Sequence, residues 1–466
     1  MKRIAIIGGG ISGLSAAFTL EQRRAAGAPL EYTLYESSPR FGGVLRTELV
    51  DGCVVEAGPD SFLSEKPWAS DLCRQLGLAD QLIGSNDAQR KTYILLKGRL
   101  IPIPDGLMFM VPTKILPVIL SPLFSRATKL RVSREWFHPP HKSDADESVA
   151  SFVDRHYGSE MVDYLADPLL AGVYGGEASQ LSVRAVLPRF AEMESKYGSL
   201  SRAMFEAGKK VPPGPDRTAR PLFTSLKAGM QSLAEIVLQR LPASSLRPST
   251  PAQALQPEEG GWLVSAGYGT DLFDALIVAT PASTAASLLH STQPELALEL
   301  ASIAYSSSVT VALAFDQKVR AALPPGFGFL VPRTENKRML AATFVHNKFP
   351  HRAPAGRALI RCFLGGSRDE RVLELPDEEI IRIVREELRQ ILRVSAEPLF
   401  ARVCKWRAAM AQYTVGHLDR LERIERLRQQ LPGLALAGNG YRGIGVPDCV
   451  RSGQEAAEQV LARLLP

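Results

Sequence analysis

The first 47 residues constrain the fold more than any other part of the chain, because they place a glycine loop between a strand and a helix. Lys2–Ile7 has the pattern of a short buried strand, the loop Gly8-Gly9-Gly10-Ile11-Ser12-Gly13 follows at once, and residues 14–22 are predicted to be helical. The first glycine of such a loop permits the tight turn, the second lets the backbone approach a pyrophosphate, and the third lets the helix pack on the sheet. The unpaired N–H groups of the helix then face the phosphates. We therefore predict a dinucleotide-binding unit at Gly8, Gly10 and Gly13.

The next acidic residue and a second glycine pair indicate which dinucleotide is bound. A predicted strand, residues 31–35, ends at Glu36, roughly 20 residues after the glycines, where the fold places an acid that accepts hydrogen bonds from the adenosine ribose. The following Arg40-Phe41-Gly42-Gly43, with Thr47, resembles the RxGGxxxT element of the flavin amine oxidase superfamily. This resemblance favours FAD over NAD. The alternative is an ordinary Gly-Gly turn.

Composition argues against several classes of function. A chain of 466 residues is long enough for roughly two to four domains. Its net charge of +6 is spread out, without a recognisable nucleic-acid-binding pattern, so we expect no nucleic-acid partner. The five cysteines contain no CxxC pair, and His138 and His141 are interpreted as part of a solvated turn, so we predict no metal site. Because the N-terminus shows no signal-peptide pattern, we expect a cytoplasmic protein.

Residues 100–124 form an unusually apolar stretch with only two charges, Asp105 and Lys114. Its prolines exclude a transmembrane helix, because each would leave backbone groups unsatisfied in lipid. Two interpretations remain, and both can hold: a buried wall of a substrate pocket, or a monotopic surface that dips apolar side chains into one leaflet. Basic residues and Trp136 follow, as is typical of a headgroup boundary. The sequence therefore predicts peripheral association with the cytoplasmic membrane face through residues 107–124.

The cofactor-type segments are separated by long insertions, which predicts a discontinuous architecture. Residues 261–265 and 275–279 have the pattern of strands that return to the cofactor domain. Near the C-terminus we predict a strand, a glycine loop and a final helix over residues 449–464, whose N-terminus would stabilise negative charge on a flavin. The predicted segments are 1–85, 221–284 and 405–466 for the FAD-binding domain, 86–99, 179–220 and 285–404 for the substrate domain, and 100–178 for a helical, membrane-associated insertion.

Several further segments carry the sequence of a known family. The most specific is residues 167–177, Asp-Pro-Leu-Leu-Ala-Gly-Val-Tyr-Gly-Gly-Glu, which general amine oxidases do not share. Residues 225–233, 326–332 and 412–417 and the pair Gly445-Val446 with Cys449 follow in order. With them the chain resembles, over nearly its whole length, the oxygen-dependent protoporphyrinogen oxidases and the related bacterial coproporphyrinogen oxidases. The implied fold class is α/β and α+β: a discontinuous Rossmann-like FAD-binding domain, a mixed-sheet substrate domain and a helical membrane-facing insertion.

The resemblance implies two sets of site residues. The residues that would hold FAD are Gly8, Gly10, Ser12, Gly13, Glu36, Arg40, Gly42, Gly43, Gly58, Pro59, Ala252, Trp406, Gly445 and Val446. The residues that would line the substrate pocket, with apolar walls around a macrocycle, are Thr92, Gly172, Leu330 and Phe363. Plant and animal members place an arginine at the position of Thr92, where it pairs a substrate propionate. The nearby cations that could replace it are Arg90, Lys91 and Lys97.

The activity implied by the resemblance is the FAD-dependent, six-electron oxidation of protoporphyrinogen IX to protoporphyrin IX in haem biosynthesis, with oxygen as acceptor. A flavin accepts hydride from a meso carbon while a pyrrole N–H loses its proton, so we assign no catalytic acid or base. Leu330, Phe363 and residues 100–124 indicate an apolar far end of the pocket, which favours protoporphyrinogen, the less charged of the two porphyrinogens. Thr92 favours the alternative, a coproporphyrinogen III oxidase that forms coproporphyrin III.

Other classes remain open at this point. A different oxidase of the flavin amine oxidase superfamily would share the flavin motifs, a carotenoid desaturase would also work at membranes, and a non-enzymatic flavin-binding scaffold is a possibility of another kind. The expected partners are the porphyrinogen, oxygen and a membrane surface. A homodimer and the transfer of product to a ferrochelatase are further expectations.

Overall fold

The computed structural model describes residues 1–141, 145–209, 220–267 and 269–465. Its strands are β1 (Lys2–Ile7), β2 (Leu30–Tyr35), β3 (Thr47–Val50), β4 (Cys53–Glu56), β5 (Phe62–Leu63), β6 (Leu82–Gly84), β7 (Thr92–Leu96), β8 (Arg99–Pro102), β9 (Leu107–Met108), β10 (Val111–Pro112), β11 (Phe223–Leu226), β12 (Leu246–Arg247), β13 (Ala252–Glu258), β14 (Gly261–Ala266), β15 (Gly269–Phe273), β16 (Ala275–Val278), β17 (Tyr305–Phe315), β18 (Gly328–Leu330), β19 (Met339–Phe344), β20 (Ala358–Gly365), β21 (Phe400–Ala411) and β22 (Leu434–Leu436). Its α-helices are α1 (Ile11–Ala25), α2 (Trp68–Gln75), α3 (Ile115–Leu120), α4 (Arg126–Glu135), α5 (Val149–Tyr157), α6 (Ser159–Met161), α7 (Asp167–Tyr174), α8 (Val183–Val186), α9 (Pro188–Tyr197), α10 (Leu200–Lys209), α11 (Gln231–Gln239), α12 (Ala282–Leu289), α13 (Pro294–Ala301), α14 (Gln317–Ala322), α15 (Val345–Lys348), α16 (Asp377–Leu392), α17 (His417–Gln429) and α18 (Val446–Leu464).

The elements group into two compact units, each assembled from separate segments of the chain. The first unit comprises Met1–Ser85, Pro221–Ala304 and Leu418–Pro466, and the second comprises Asn86–Arg220 and Tyr305–His417. The sequence prediction placed the corresponding boundaries at residues 284 and 405. Residues 210–219 of the predicted segment 179–220 lie outside the described residues. Helices α12 and α13 thus belong to the first unit, and the whole of strand β21 belongs to the second.

The first unit is built on a parallel five-stranded sheet in the order β12-β2-β1-β16-β22. Strand β1 reads Lys-Arg-Ile-Ala-Ile-Ile, and its last four residues are buried. A strand that is apolar on both faces forms in a parallel sheet whose two faces are covered by helices. Side chains of α1, α11 and α18 join those of the sheet in one apolar core. The sheet, the glycine loop and α1 confirm the Rossmann-like part of the predicted fold.

The second unit is built on a mixed seven-stranded sheet in the order β21-β17-β20-β19-β18-β7-β8. The pair β18 and β7 is parallel and the other neighbouring strands are antiparallel. One face packs against α16, whose Ile380, Val384 and Leu388 recur with the helical period and are buried. This confirms a mixed-sheet second region.

The opposite face of this sheet is partly covered by the helices that lie between residues 115 and 209. Ile94 of β7 and Leu330 of β18 pack into an apolar cluster with Met110, Val111 and Leu170. The helical character of the predicted insertion is therefore correct for α4 to α7. Residues 100–124 differ, because they contain short strands and only one six-residue helix, α3.

Candidate functional site

The glycine loop of the first unit has the shape that a pyrophosphate site needs. Gly8 has a φ of +105°, in the region that favours glycine, and a Cβ on Gly13 would collide with the carbonyl oxygen of Gly8. A Cβ on Gly10, in contrast, would meet no protein atom within 4 Å. Ser12 is buried in the first turn of α1. The loop is thus closely packed at Gly8 and Gly13 and leaves open space at Gly10. This shape fits a phosphate-bearing cofactor at the helix N-terminus.

Glu36 follows β2 and its carboxylate connects the glycine loop to the segment after it. Its Oε2 accepts a hydrogen bond from the backbone N–H of Gly9 at 2.8 Å. Its Oε1 accepts from the backbone N–H and the hydroxyl of Ser38, each at 2.8 Å. The carboxylate is half-buried beside the loop, where the fold requires an acid for the adenosine ribose.

Arg40 supports the second glycine pair through hydrogen bonds to backbone carbonyls. Its guanidinium donates to the carbonyl of Leu45 at 2.9 Å and to that of Gly43. The N–H of Gly42 donates to the carbonyl of Gly9 at 2.8 Å, so this loop lies directly against the first one. The structure therefore brings Arg40, Gly42 and Gly43 together with the glycine loop, and Arg40 acts on the shape of this loop.

Three other predicted cofactor residues come from separate segments of the first unit. Gly58 and Pro59 follow β4, and Gly58 is buried. Ala252 begins β13, two residues after Thr250, whose N–H donates to the backbone carbonyl of Glu36 at 2.8 Å. Ala252 thus lies close in sequence to a residue that contacts Glu36 at the end of β2.

Gly445 and Val446 begin the last helix of the first unit, and Trp406 belongs to the second unit. Gly445 is the N-cap of α18 and Val446 is its first residue. In the first turn, the buried carboxylate of Asp448 accepts a hydrogen bond from Lys66 Nζ at 2.6 Å, a contact that sequence reasoning missed. Trp406 belongs to β21 of the second unit, on the same sheet face as Phe363.

A buried carboxylate that sequence reasoning also missed organises the start of α11. Glu56 accepts hydrogen bonds from the hydroxyl of Thr47 at 2.6 Å and from the N–H of Met230 at 2.8 Å. Thr47 Oγ1 in turn accepts from the N–H of Gln231 at 3.1 Å. An acid that satisfies backbone donors at the start of a helix stabilises that helix.

In the second unit, the predicted pocket residues lie in a row across one face of the sheet. Leu330 pairs with Ala341, and Ala341 pairs with Phe363. The row continues to Ile94 on one side and to Thr310 on the other. Directly paired residues share a face of a sheet, so these side chains form one surface without an ionisable group. Such a surface can contact an apolar ring, and it offers no acid or base of its own.

Gly172 of α7 lies over this row. A Cβ on Gly172 would be 3.9 Å from Leu330 Cδ2, and the glycine itself is exposed. The missing side chain leaves room between the helix and the sheet. The structure therefore brings Gly172 and Leu330 together, as expected for two residues of one pocket, and it places Phe363 two strands further along the same face.

Polar contacts with the sheet region fix the position of α7. The carboxylate of Asp167, the first residue of α7, pairs with Arg368 and also accepts from the N–H of Ala178 at 3.0 Å. At the other end, Gln412 Nε2 donates to the carbonyl of Tyr174 at 2.6 Å and to the hydroxyl of Ser306 at 3.0 Å. These contacts at both ends of α7 therefore fix the position of Gly172 relative to the sheet, and they involve residues of the segment 167–177.

Thr92 begins β7 on the same face, and the three cations suggested near it differ in position. Thr92 is paired with Gly328 and lies two residues before Ile94. Arg90 and Lys91 are exposed just before the strand. Lys97 lies in the turn after the strand, at the opposite end from Thr92. The five-residue strand β7 separates Lys97 from Thr92 by more than about 13 Å. Lys97 is therefore poorly placed to replace an arginine at the position of Thr92.

The sequence matches the family described as flavin containing amine oxidoreductase over residues 11–461. The chain belongs to this family. Its cofactor is FAD, in agreement with the geometry of the glycine loops. A coproporphyrinogen III oxidase of Bacillus subtilis is 35% identical over 471 residues, which cover 99% of this chain and 98% of that protein. Protoporphyrinogen oxidase 2 of Arabidopsis thaliana is 30% identical over 495 residues, covering 99% and 94%.

A solved structure resembles this amine oxidoreductase along its whole length. It is that of a protein from Exiguobacterium sp. 255-15 assigned as a protoporphyrinogen oxidase, with a TM-score of 0.87 and 32% identity. The match covers 98% of each chain. The similar proteins thus carry two different substrate names.

Residues 100–124 of this amine oxidoreductase present only part of their apolar side chains at the surface. Met110, Val111 and Val118 are fully buried, whereas Leu116 is 66% exposed and Leu120 is 73% exposed. Val111 was predicted to lie on a membrane-facing surface and belongs instead to the core beside β7. Among the described helices, none is long and apolar enough to cross a bilayer.

Buried charged side chains connect helices α4, α5 and α9 of the second unit. His156 lies between two carboxylates, with Nδ1 3.2 Å from Glu135 and Nε2 3.1 Å from Glu194. Burial alone would lower the pKa of His156, but its hydrogen bonds with Glu135 and Glu194 outweigh this effect and raise the pKa. Arg155 also pairs with Glu194.

His138 lies beside this cluster, with its ring centroid 4.6 Å from that of His156. It is half-buried, whereas the other residues of the predicted solvated turn, Pro139, Pro140 and His141, are exposed. Together with His156 and Glu194 it could supply ligand atoms to a metal ion. Because His156 already has a carboxylate at each ring nitrogen, we interpret the cluster as one that holds a proton.

Proposed function

We propose that this flavoprotein oxidises a porphyrinogen to the corresponding porphyrin, with oxygen as the final electron acceptor. The observation that carries the proposal is the apolar row of Leu330, Ala341 and Phe363 beneath the side-chain gap at Gly172. The apolar ring of a macrocycle can be held between a helix and a sheet face of this kind. The names of the similar proteins from Bacillus subtilis and Arabidopsis thaliana support the same class of substrate.

The two units have different tasks in this proposal. The residues of the first unit that would bind FAD are Gly8, Gly10, Ser12, Gly13, Glu36, Arg40, Gly42, Gly43, Gly58, Pro59, Ala252, Gly445 and Val446. When bound, FAD supplies a hydride acceptor for the meso carbon of the substrate. That Trp406 binds FAD stays a prediction from the family resemblance. In the second unit, Leu330 and Phe363 contact the ring, and Gly172 leaves space for it. These residues orient the substrate and exclude water, and they carry no proton in the reaction.

Coproporphyrinogen III is the substrate that we propose. It keeps four propionates, whereas protoporphyrinogen IX has two vinyl groups in place of two of them. The similarity to the Bacillus subtilis coproporphyrinogen III oxidase favours it, with 35% identity against 30% for the plant protoporphyrinogen oxidase. Protoporphyrinogen IX is the second candidate, because the row from Ile94 to Phe363 has no charged side chain.

We also propose that the protein associates peripherally with an anionic membrane surface. The exposed leucines of α3, Leu116 and Leu120, are followed in α4 by four basic residues. Apolar side chains next to cations are the pattern of a segment that lies in the headgroup region. The basic residues concerned are Arg126, Lys129, Arg131 and Arg134.

The function is tested by mixing the anaerobic, oxidised flavoprotein with each porphyrinogen and following flavin bleaching. We expect both substrates to reduce the flavin, with a second-order rate constant at least tenfold higher for coproporphyrinogen III. A higher rate constant with protoporphyrinogen IX would make that compound the substrate. If neither porphyrinogen bleaches the flavin while an amine does, the proposed function is wrong.

A further inference from the structure

A buried cation lies beside the aromatic residue of the substrate face. Arg361 and Phe363 are two residues apart on β20, so both side chains lie on the same face of the sheet. The guanidinium carbon of Arg361 is 4.8 Å from the centroid of the Phe363 ring. Arg361 is only 5% exposed. A positive charge is therefore held against the ring that we propose to face the macrocycle.

The position of Arg361 places this charge in the same cross-strand row as Thr92. Arg361 pairs with Thr343, Thr343 pairs with Gly328, and Gly328 pairs with Thr92. Three strand spacings, about 14 Å, separate Thr92 from Arg361. The row of Thr92 and Arg361 is displaced by two residues along each strand from the apolar row of Leu330, Ala341 and Phe363. The face thus has an apolar row with a row next to it that carries a cation.

The residues paired with Arg361 and Phe363 on the two adjacent strands are uncharged. Thr343 and Ala312 flank Arg361 on the adjacent strands, and Ala341 and Thr310 flank Phe363. A guanidinium is a planar fork whose N–H groups match the two oxygens of a carboxylate, and it binds carboxylates more specifically than an ammonium does.

We propose that Arg361 is a specificity-determining residue that binds a carboxylate substituent at the rim of the macrocycle. The proposal rests on the proposed function, because it assigns the ring to the apolar row and a propionate to the row beside it. A propionate extends beyond the ring, so a ring stacked on Phe363 and Leu330 can present one to the neighbouring row. A tetracarboxylate substrate gains more from this cation than a dicarboxylate, which also favours coproporphyrinogen III.

The test compares Arg361→Met with Arg361→Lys in the full flavoprotein. Methionine keeps much of the apolar stem and removes the charge, whereas lysine keeps the charge and loses the fork. Arg402→Met is the matched control, because Arg402 lies in the same row on edge strand β21, is exposed, and also has its guanidinium near a ring, that of Phe400 at 5.7 Å.

For coproporphyrinogen III we expect Arg361→Met to lower the second-order rate of flavin reduction by about 10- to 100-fold, the effect of losing a charge-assisted hydrogen bond. The loss should appear in KM and not in kcat. Arg361→Lys should recover part of it, and Arg402→Met should behave like the wild type. Equal rates for the wild type and Arg361→Met would overturn the proposal, and so would equal losses in Arg361→Met and Arg402→Met.

A binding measurement that needs no turnover separates this proposal from the proposed function. Coproporphyrin III and its tetramethyl ester share the ring and differ in carboxylate charge. We expect the wild type to prefer the acid and Arg361→Met to lose that preference while it keeps its flavin and melting temperature. If both compounds bind Arg361→Met more weakly by the same factor, Arg361 is structural and the proposal is wrong. If no porphyrinogen reduces the wild-type flavin, it is the proposed function that fails.

Discussion

Gly453 of α18 packs directly against the backbone carbonyl of Ser12 in α1, so closely that a Cβ at position 453 would collide with that oxygen. Gly453→Val should therefore force the two helices apart and lower the free energy of unfolding by about 1–3 kcal/mol. Chemical denaturation followed by circular dichroism measures the change. Gly269→Val is the matched control, because a Cβ on Gly269 would meet no atom within 4 Å. Equal stability of the two variants would contradict this contact.

Gly10→Val should separate cofactor binding from folding. A Cβ at position 10 meets no protein atom within 4 Å, so the side chain fits the protein alone, but it occupies the space beside the helix N-terminus that the pyrophosphate needs. We expect a folded protein that has lost most of its flavin. The ratio of flavin absorbance to protein absorbance measures this, and Gly269→Val should retain the wild-type ratio. A yellow Gly10→Val variant would place the pyrophosphate elsewhere.

The His156 cluster should make stability depend on pH. Because the pKa of His156 is raised, the protonated ring contributes to the free energy of unfolding. This contribution is fully present below the ordinary pKa of 6.5 and is lost as pH rises through the raised pKa. Burial would raise the pKa of Glu194, but hydrogen bonds to His156 and Arg155 lower it to about 2. Its contribution is present above the ordinary value of 4.5 and is lost as pH falls towards 2.

The free energy of unfolding should therefore be higher for the wild type than for His156→Gln, and the difference should be largest between pH 4.5 and 6.5. Below and above this range the difference should be smaller. Urea titrations across pH measure it. His141→Gln, at an exposed histidine, should match the wild type throughout. A difference that stays constant across pH would show that no proton is held at His156.

Membrane association should depend on α3. Replacing Leu116 and Leu120 by serine should weaken binding to vesicles that contain phosphatidylglycerol by about tenfold or more for each leucine, since burial of one such side chain contributes about 1.5–3 kcal/mol. Vesicle flotation measures bound protein. Replacing Leu49 and Leu298, which are equally exposed in the first unit, serves as the control. If both double variants bind like the wild type, the association does not use α3.

Local sequence pattern was sufficient for the elements around the glycine loop. Strand β1 has the predicted bounds, and α1 begins at Ile11, three residues before the predicted start. Helix α18 begins at Val446 and not at residue 449, because Pro447 is compatible with the first turn of a helix. Of the two predicted returning strands, β16 joins the parallel sheet, whereas β14 forms a separate antiparallel sheet with β13 and β15.

The sites were less predictable because they depend on the register between distant strands. The resemblance to a family supplied Gly172, Leu330 and Phe363, but only the pairing of β18, β19 and β20 shows that Leu330 and Phe363 share a row. Arg361 lies in a strand that reads as apolar, and its sequence neighbours give no sign that it faces Phe363. The burial of Val111 was equally hidden, since hydrophobicity alone does not distinguish a core from a membrane surface.

The parallel pairing of β7 with β18 also determines when the second unit can fold. Strand β7 leaves the ribosome long before β18, and β17, β20 and β21 come from the same late part of the chain as β18. The early half of the unit must therefore wait with unpaired strand edges and exposed apolar side chains until synthesis is nearly complete. Pairings between such distant segments fold slowly and expose the chain to aggregation meanwhile. Production of this flavoprotein in cells is thus expected to respond to chaperone supply and to growth temperature more than its final stability would suggest.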